Sequence, residues 1–350
     1  MNIPTSSGRG LPLGALLPDL PRHVWMASSG TGGVCKLVAL SVHAFECSAR
    51  AVNARLRSSK SDVWLNVLPA FHVGGASIKS RAELSGSEVV CLCDWEPSWF
   101  FAQAAAHRAT LTSVVPTQLY DLLRHGQPCP SSLRAIVVGG AALDEGLHAR
   151  ALQLGWPVLR SYGMTEAASQ VATELSPGSA VDGWLPLLDH FEARTDEHGV
   201  LELRGPSLLT GWMIFENDGT ARWEDPKRNG WFRTSDRVEL RGRELRVLGR
   251  VDDLVKIRGE LVDVGALEIA LQARVTQGRV AVYRLPDERN GTALRVVAEN
   301  TAALNQARAL RDEIFPPYAR PEEFVQGPVE VTALGKTIRC CANIPVPPGA

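Results

Sequence analysis

Ten consecutive residues, Ala27-Ser28-Ser29-Gly30-Thr31-Gly32-Gly33-Val34-Cys35-Lys36, gather two serines, a threonine, three glycines and a lysine. Such a stretch can cradle a phosphate. Glycines let backbone N–H groups converge on an anion, hydroxyls add donors, and the lysine adds a point charge. The spacing is not that of G-x-x-x-x-G-K-[ST], because Leu37 follows the lysine, and no G-x-G-x-x-G is present. By itself the stretch reads equally as a surface loop with a solvated lysine. A second candidate is Ser161-Tyr162-Gly163-Met164-Thr165-Glu166, set after an apolar strand pattern. An aromatic, a glycine, a hydroxyl and a carboxylate at a strand end can stack on a base, admit a phosphate and hold a hard cation through oxygen. Glu166 reads equally as an acidic residue favoured by a helix dipole. The third is His72, between a strand pattern and the pair Gly74-Gly75, where α/β proteins bind ligands beyond strand carboxyl ends. A structural histidine is the alternative there.

The elements that must position these residues follow from size and patterning. A chain of 350 residues exceeds the usual single core, so one large domain and a smaller one are expected. A formal net charge of −1 gives no reason to expect a nucleic-acid partner or an anionic membrane surface. Hydrophobic content of 45% excludes extensive disorder. Seven cysteines without C-x-x-C spacing predict a reduced, cytoplasmic chain with buried thiols and no structural zinc. Residues 1–14 lack the basic start and apolar core of a secretory signal. No run reaches the roughly 18 apolar residues of a membrane helix. A soluble protein is expected.

Along the chain, residues 37–57 read as helix, with good formers and no internal proline or glycine. Strand patterns at 62–69, 87–93, 111–116, 133–142 and 157–160 alternate with helical ones at 97–108, 117–124 and 145–154. That alternation predicts a mostly parallel, helix-covered sheet. Beyond Ala180 the runs at 191–194, 199–204, 237–240 and 244–248 alternate apolar with polar residues, as in an antiparallel sheet with one wet face. From about Val251 a smaller α/β unit is expected, with helices at 265–273 and 302–314 and strands at 279–284 and 292–299.

Five segments occur in one order: the loop ending at Lys36, Tyr162-Gly163-Met164-Thr165-Glu166, Thr234-Ser235-Asp236, the run from Gly249-Arg250 to Arg258-Gly259, and Leu334-Gly335-Lys336. Together, from about Trp25 to Arg339, they resemble the adenylate-forming superfamily of acyl-CoA synthetases, luciferases and peptide-synthetase adenylation domains. Within it the chain is most similar to the o-succinylbenzoate–CoA ligases of menaquinone biosynthesis. That likeness rests on Leu68-Pro69-Ala70-Phe71-His72-Val73-Gly74-Gly75, on Val114-Val115-Pro116-Thr117-Gln118-Leu119-Tyr120, on Val138-Gly139-Gly140-Ala141-Ala142-Leu143 and on the extension of Tyr162–Glu166 through Thr173.

The resemblance implies a role for each matching residue. Ser28, Ser29, Gly30, Thr31, Gly32, Gly33 and Lys36 would hold the ATP β- and γ-phosphates. Gly139, Gly140, Ala141 and Tyr162 would border the adenine, with Gly163 beside them. Thr165 would bind the α-phosphate and Glu166 the Mg²⁺. Asp236 would take the ribose hydroxyls with Arg250. Lys336 would reach the acyl carboxylate and α-phosphate, stabilising the crowded charge of the transition state. Asp252 would be the hinge on which the small domain turns to present Gly259 to coenzyme A. His72 would line the acyl pocket. Lys79 and Arg81 are the nearby cations for a second substrate carboxylate, or else solvated charges.

The implied fold is the α/β fold of the acyl-CoA synthetases. Residues 1–250 form a large domain with helix-covered sheets and an antiparallel subdomain, and residues 251–350 a small mobile α+β domain with the catalytic lysine. The segment before Trp25 is shorter than the family pattern, so the large domain is expected N-terminally shortened, and Cys35 stands where proline is usual. The implied function is AMP-forming ligation of a carboxylic acid to coenzyme A, with ATP and Mg²⁺, a homodimer being compatible with it. The alternatives are another aryl or medium-chain acid as substrate, or a degenerate nucleotide-binding homologue without catalysis.

Overall fold

The computed structural model describes residues 2–3, 11–12, 17–29, 35–92, 94–215, 220–287 and 291–329. Its largest sheet has six strands in the order Ser169–Thr173, Val158–Met164, Ala135–Val138, Leu111–Val114, Val63–Asn66, Glu88–Cys91. The last five are mutually parallel, and Ser169–Thr173 closes one edge antiparallel to Val158–Met164. Parallel strands need crossovers, and the helices Val73–Ser85, Pro97–Ala106, Pro116–His125 and Glu145–Gln153 supply them. Both faces are covered. Phe100, Phe101, Leu119, Leu122 and Ala151 pack on Leu65, Val114, Ile136 and Val158. Trp64 alternates to the other face, where Arg81 of the helix Val73–Ser85 lies over its ring, 5.6 Å from the centroid. The expected parallel, helix-covered sheet is therefore observed.

The amino ends of these strands are pinned by one carboxylate. Asp62 accepts from Thr110 Oγ1 at 2.7 Å, from Arg134 Nε and Nη2 at 2.8 Å each, and from the Ser59 N–H at 2.9 Å. Those groups precede three different strands, and the Glu88 N–H adds a bond to the Asp62 carbonyl at 3.2 Å. Burial pushes the Asp62 carboxyl up, but the bonds from Arg134, Thr110 and Ser59 outweigh it and hold the group at about 2. On this same edge Glu145–Gln153 returns to its strand through Gly155, a left-handed turn (φ 76) with open space around it.

The segment after the phosphate-loop candidate departs from expectation. Residues 37–57 are not one helix: Cys35–Ser41 is a strand and only Val42–Leu56 is helical. Cys35–Ser41 sits between His23–Ser29 and Gly211–Phe215 in a four-stranded antiparallel sheet whose outer strand is Ala221–Glu224. Pairing on both sides of Lys36-Leu37-Val38-Ala39-Leu40 overrides its helix propensity. Ser41 caps the helix, accepting from the Ala44 N–H at 3.0 Å. A five-stranded sheet orders Leu185–Pro186, Glu244–Arg250, Phe232–Arg241, Val200–Arg204 and Glu192–Thr195, the antiparallel element expected beyond Ala180.

Compactness divides the chain into one unit of residues 1–197, 201–234 and 239–246 and another of 198–200, 235–238 and 247–350. In the second, Val280–Asp287 and Gly291–Ala298 form an antiparallel pair, and Glu323–Gln326 adds in parallel. Helices Val264–Arg274 and Thr301–Ala309 pack Leu271 and Leu304 on Val282, Leu294 and Val296. The helix expected at 302–314 breaks at Leu310 and resumes as Arg311–Ile314. Cys47, Cys91 and Cys129 are free; Cys91 is exposed and the other two are only partly buried, so none of the three meets the expectation of buried thiols. Burial pushes the Cys129 thiol up to about 12. None of the described helices is long and apolar enough to cross a membrane.

Asp62→Asn should lower stability at pH 7 by about 2–3 kcal/mol in urea unfolding. The depressed carboxyl stabilises the fold above its unfolded value, near 3.8, and loses that contribution as pH falls through about 2. The difference between wild type and variant should therefore shrink over that window.

Candidate functional site

Strand order sets the place for a ligand. From Val63–Asn66 the chain crosses to Glu88–Cys91 on one side, while Leu111–Val114 and its successors lie on the other. Loops leaving Val63–Asn66 and Leu111–Val114 therefore lead to opposite sides of the sheet, and α/β folds bind ligands outside the carboxyl ends of strands at such a point. His72 follows the first strand and Gln118 the second. Gln118 Oε1 accepts from the Val115 N–H at 3.0 Å, and its amide reaches the Val67 carbonyl at 3.4 Å.

His72 is half-buried at the N-cap of Val73–Ser85 but makes no side-chain cap bond. Its Nε2 is buried without a hydrogen-bond partner, and its ring tilts against Phe71 at 4.6 Å between centroids. Burial lowers its pKa, favouring the neutral imidazole. An unpartnered polar atom at a switch point suits a ligand better than a satisfied structural histidine. Gly75 makes the close start of this helix possible, since a Cβ there would stand 2.4 Å from the Pro69 carbonyl oxygen.

On the same edge, Ala135–Val138 runs into Gly139, Gly140 and Ala141. Gly139 backs onto the next strand, where a Cβ would stand 3.3 Å from the Ser161 carbonyl oxygen, and Gly140 is left-handed (φ 85). Gly140 and Ala141 are exposed. Ser161-Tyr162-Gly163-Met164 does not follow the strand, as expected, but is its second half, with Tyr162 paired to Ala172. Thr165–Ala167 is a single 3₁₀ turn, so Glu166 is not in the first turn of an α-helix. The turn is fixed by bonds from the Leu209 N–H to the Glu166 carbonyl at 2.8 Å and from the Ala168 N–H to the Thr165 carbonyl at 3.1 Å. A Cβ on Gly163 would lie 2.1 Å from the Ser169 carbonyl oxygen, so the two strands approach only because that residue is glycine.

Ser28 and Ser29 end the strand His23–Ser29, paired with Lys36 and Cys35. Gly30, Thr31, Gly32 and Gly33 lie outside the described residues, as does Lys336. Lys36 projects from its strand with Nζ 4.2 Å from the centre of the Trp212 ring, a cation–π contact across neighbouring strands. Trp212 was not foreseeable, because only the register of Gly211–Phe215 on Cys35–Ser41 brings it there. Lys79 is 80% exposed and pairs with Glu83 at 3.8 Å, the setting of a solvated charge. Arg81 is the opposite. Its side chain is fully buried, Nη2 donates to Ser169 Oγ at 2.9 Å, Nε is unpartnered, and burial lowers its pKa to about 9.

In the second unit, Asp236 and Arg250 come together at 3.6 Å, and Arg250 reaches Asp252 at 3.1 Å. Burial opposes the Arg250 charge, but Asp236, Asp252 and Asp253 outweigh it and raise its pKa. Asp252 lies in the turn Val251–Asp253, and its carbonyl accepts from Arg284 at 2.7 Å.

Several of these features can serve a nucleotide and a metal. Glycine backbones crowd the carboxyl edge and Tyr162 offers a ring. Among the described residues no cluster of three or more metal-ligating side chains exists. One carboxylate, Glu166, fits a magnesium ion that takes its remaining ligands from phosphates and water.

Residues 23–211 match the family model described as AMP-binding enzyme. A 2-succinylbenzoate–CoA ligase of Bacillus pumilus is 30% identical over 317 residues, covering 85% of this chain and 64% of that protein. Another, of Bacillus subtilis, is 30% identical over 281 residues, covering 76% and 56%. The chain thus spans less than two thirds of these relatives. The solved o-succinylbenzoate CoA synthetase of Bacillus subtilis with its acyl-adenylate intermediate superposes at a TM-score of 0.80, with 27% identity over 92% of this chain and 69% of that one. Its complex with ATP and magnesium ion gives 0.75 at 27% identity, over 90% and 68%. The fold is that of the adenylate-forming enzymes.

Gly163→Ala should displace Ser169, costing about 2–4 kcal/mol of stability. Thermal unfolding of the variant measures this cost, and a melting temperature equal to that of wild type would show that the two strands tolerate a Cβ at this position.

Proposed function

Because the chain belongs to the AMP-binding enzyme family, we propose that it is an AMP-forming acid–CoA ligase whose acid is o-succinylbenzoate, acting in menaquinone biosynthesis in the cytoplasm. The observation that carries this reading is the placement of His72, the Gly139-Gly140 turn and Tyr162–Glu166 on the carboxyl edge of one parallel sheet, beside the point where its strand order reverses. The names of the curated relatives support the choice of acid.

In the first half-reaction a carboxylate oxygen attacks the α-phosphorus of ATP, the bond to the β-phosphate oxygen breaks, and pyrophosphate leaves. In the second, the coenzyme A thiolate attacks the acyl carbonyl and AMP leaves. Tyr162 stacks on the adenine, bordered by Gly139, Gly140 and Ala141, and Thr165 donates to the α-phosphate. Glu166 holds Mg²⁺, which when bound offsets phosphate charge. Ser28, Ser29, the glycines to Gly33 and Lys36 hold the β- and γ-phosphates, with Lys36 leaving the Trp212 face to do so. Asp236 accepts from the ribose hydroxyls, and Arg250, already held by Asp236 and Asp252, fixes its direction. His72, neutral because it is buried, donates a hydrogen bond toward the acyl carboxylate without adding a charge. Arg81, buried and beside Ser169, provides the positive field for the second carboxylate of the acid. Lys336 stabilises the pentavalent phosphorus, and Asp252 is the pivot that carries it away before thioester formation.

Pyrophosphate release with ATP, Mg²⁺ and a panel of carboxylic acids tests the reading. o-Succinylbenzoate should be preferred over aryl and medium-chain monoacids, and acyl-AMP should accumulate when coenzyme A is withheld. Lys336→Ala should lower adenylation by about 10²–10³-fold yet spare thioester formation from supplied acyl-adenylate. Equal loss of both steps would remove Lys336 from its role, and nucleotide binding without acid-dependent pyrophosphate release would make the chain a non-catalytic homologue.

A further inference from the structure

Two consecutive residues with side chains, Ala168 (φ 53) and Ser169 (φ 123), lie in backbone conformations that favour glycine, immediately after Glu166 and Ala167. Ser48, wholly buried on the helix Val42–Leu56, donates its hydroxyl to the Ala168 carbonyl at 3.1 Å. From a different helix, Arg81 donates to the Ser169 hydroxyl at 2.9 Å. The bend they hold presses the Ser169 carbonyl against Gly163 and closes the 3₁₀ turn that carries Thr165 and Glu166.

We propose that Ser48 is a positioning residue for Glu166, its hydroxyl fixing the strained Ala168-Ser169 bend so that the glutamate is oriented before Mg²⁺ arrives. Ser48 itself lies outside the set of residues assigned to nucleotide or acid, and it acts only through the Ala168 carbonyl. The contact spans two elements far apart in sequence, so it ties the turn to the helical layer of the fold. Left-handed backbone at an alanine is unfavourable because of its Cβ, and a turn entered through such a residue opens when its restraint is removed. Glycine at that position takes the same φ without penalty and makes the restraint less necessary. The role in metal binding rests on the ligase reading, whereas the restraint of the turn is a property of the ligand-free protein.

Ser48→Ala, the double variant Ser48→Ala with Ala168→Gly, and wild type are compared in two measurements. The first is the Mg²⁺ concentration that half-saturates ATP-dependent acyl-AMP formation. The second is amide hydrogen exchange of residues 163–170 in the ligand-free protein. S48A should need about 10-fold more Mg²⁺, with KM for the acid unchanged, and should exchange faster within that segment. The glycine in the double variant should return the Mg²⁺ requirement to within about 2-fold of wild type, a rescue that simple loss of packing would not show. Should S48A fail to fold, S48C keeps the volume while weakening the donor and reads the same quantities. Wild-type exchange in S48A, or a double variant no better than S48A, overturns the proposal. A wild type inert with every acid overturns the ligase reading alone, and the exchange comparison still decides the Ser48 contact.

Discussion

One buried carboxylate organises the sheet on which the candidate site stands. Asp62 collects a threonine hydroxyl, an arginine and a backbone N–H, so that strands beginning at Val63, Leu111 and Ala135 start level with one another. Parallel strands that start together also finish together, and their exit loops share one rim. A carboxylate with so many donors is worth its desolvation only while all of them are present. The amino edge is therefore rigid and charged, and the carboxyl edge is free to be built from glycines and unpartnered polar atoms.

That rim contains local conflicts that the rest of the fold sustains. His72 has a buried nitrogen with nothing to bond, Arg81 a buried guanidinium that offers only one donor to Ser169, and Ala168-Ser169 a backbone that disfavours side chains. Each departs from the usual rules of a well-satisfied interior; His72 and Ala168-Ser169 follow strand ends, and Arg81 reaches the latter from within the helix Val73–Ser85. Such clustering is expected where a site is organised in advance for a ligand.

Much of the layered architecture was legible because short apolar runs alternate with helical ones at lengths that only a crossover sheet accommodates. The place of Thr165 and Glu166 just beyond a strand was legible, and so was that of His72 after its strand. What escaped was set by partners distant in sequence. Lys36-Leu37-Val38-Ala39-Leu40 has no strand alternation and becomes a strand only between two others. Tyr162 lies inside a strand because Ser169–Thr173 folds back upon it. The seat of Lys36 on Trp212 depends on a pairing register that no local pattern announces. Burial likewise separated Lys79 from Arg81, two cations that sequence alone left equivalent.

The contrast between the two edges of the sheet also bears on how the chain could be rewired. Gly155 turns in open space at the amino edge, between a helix and a strand whose far end carries Tyr162. New termini created there by circular permutation, or a fused reporter domain inserted there, would meet no backbone of the ligand rim. The fold thus offers an attachment point whose tether leads away from the candidate site while remaining continuous, through a single strand, with Tyr162.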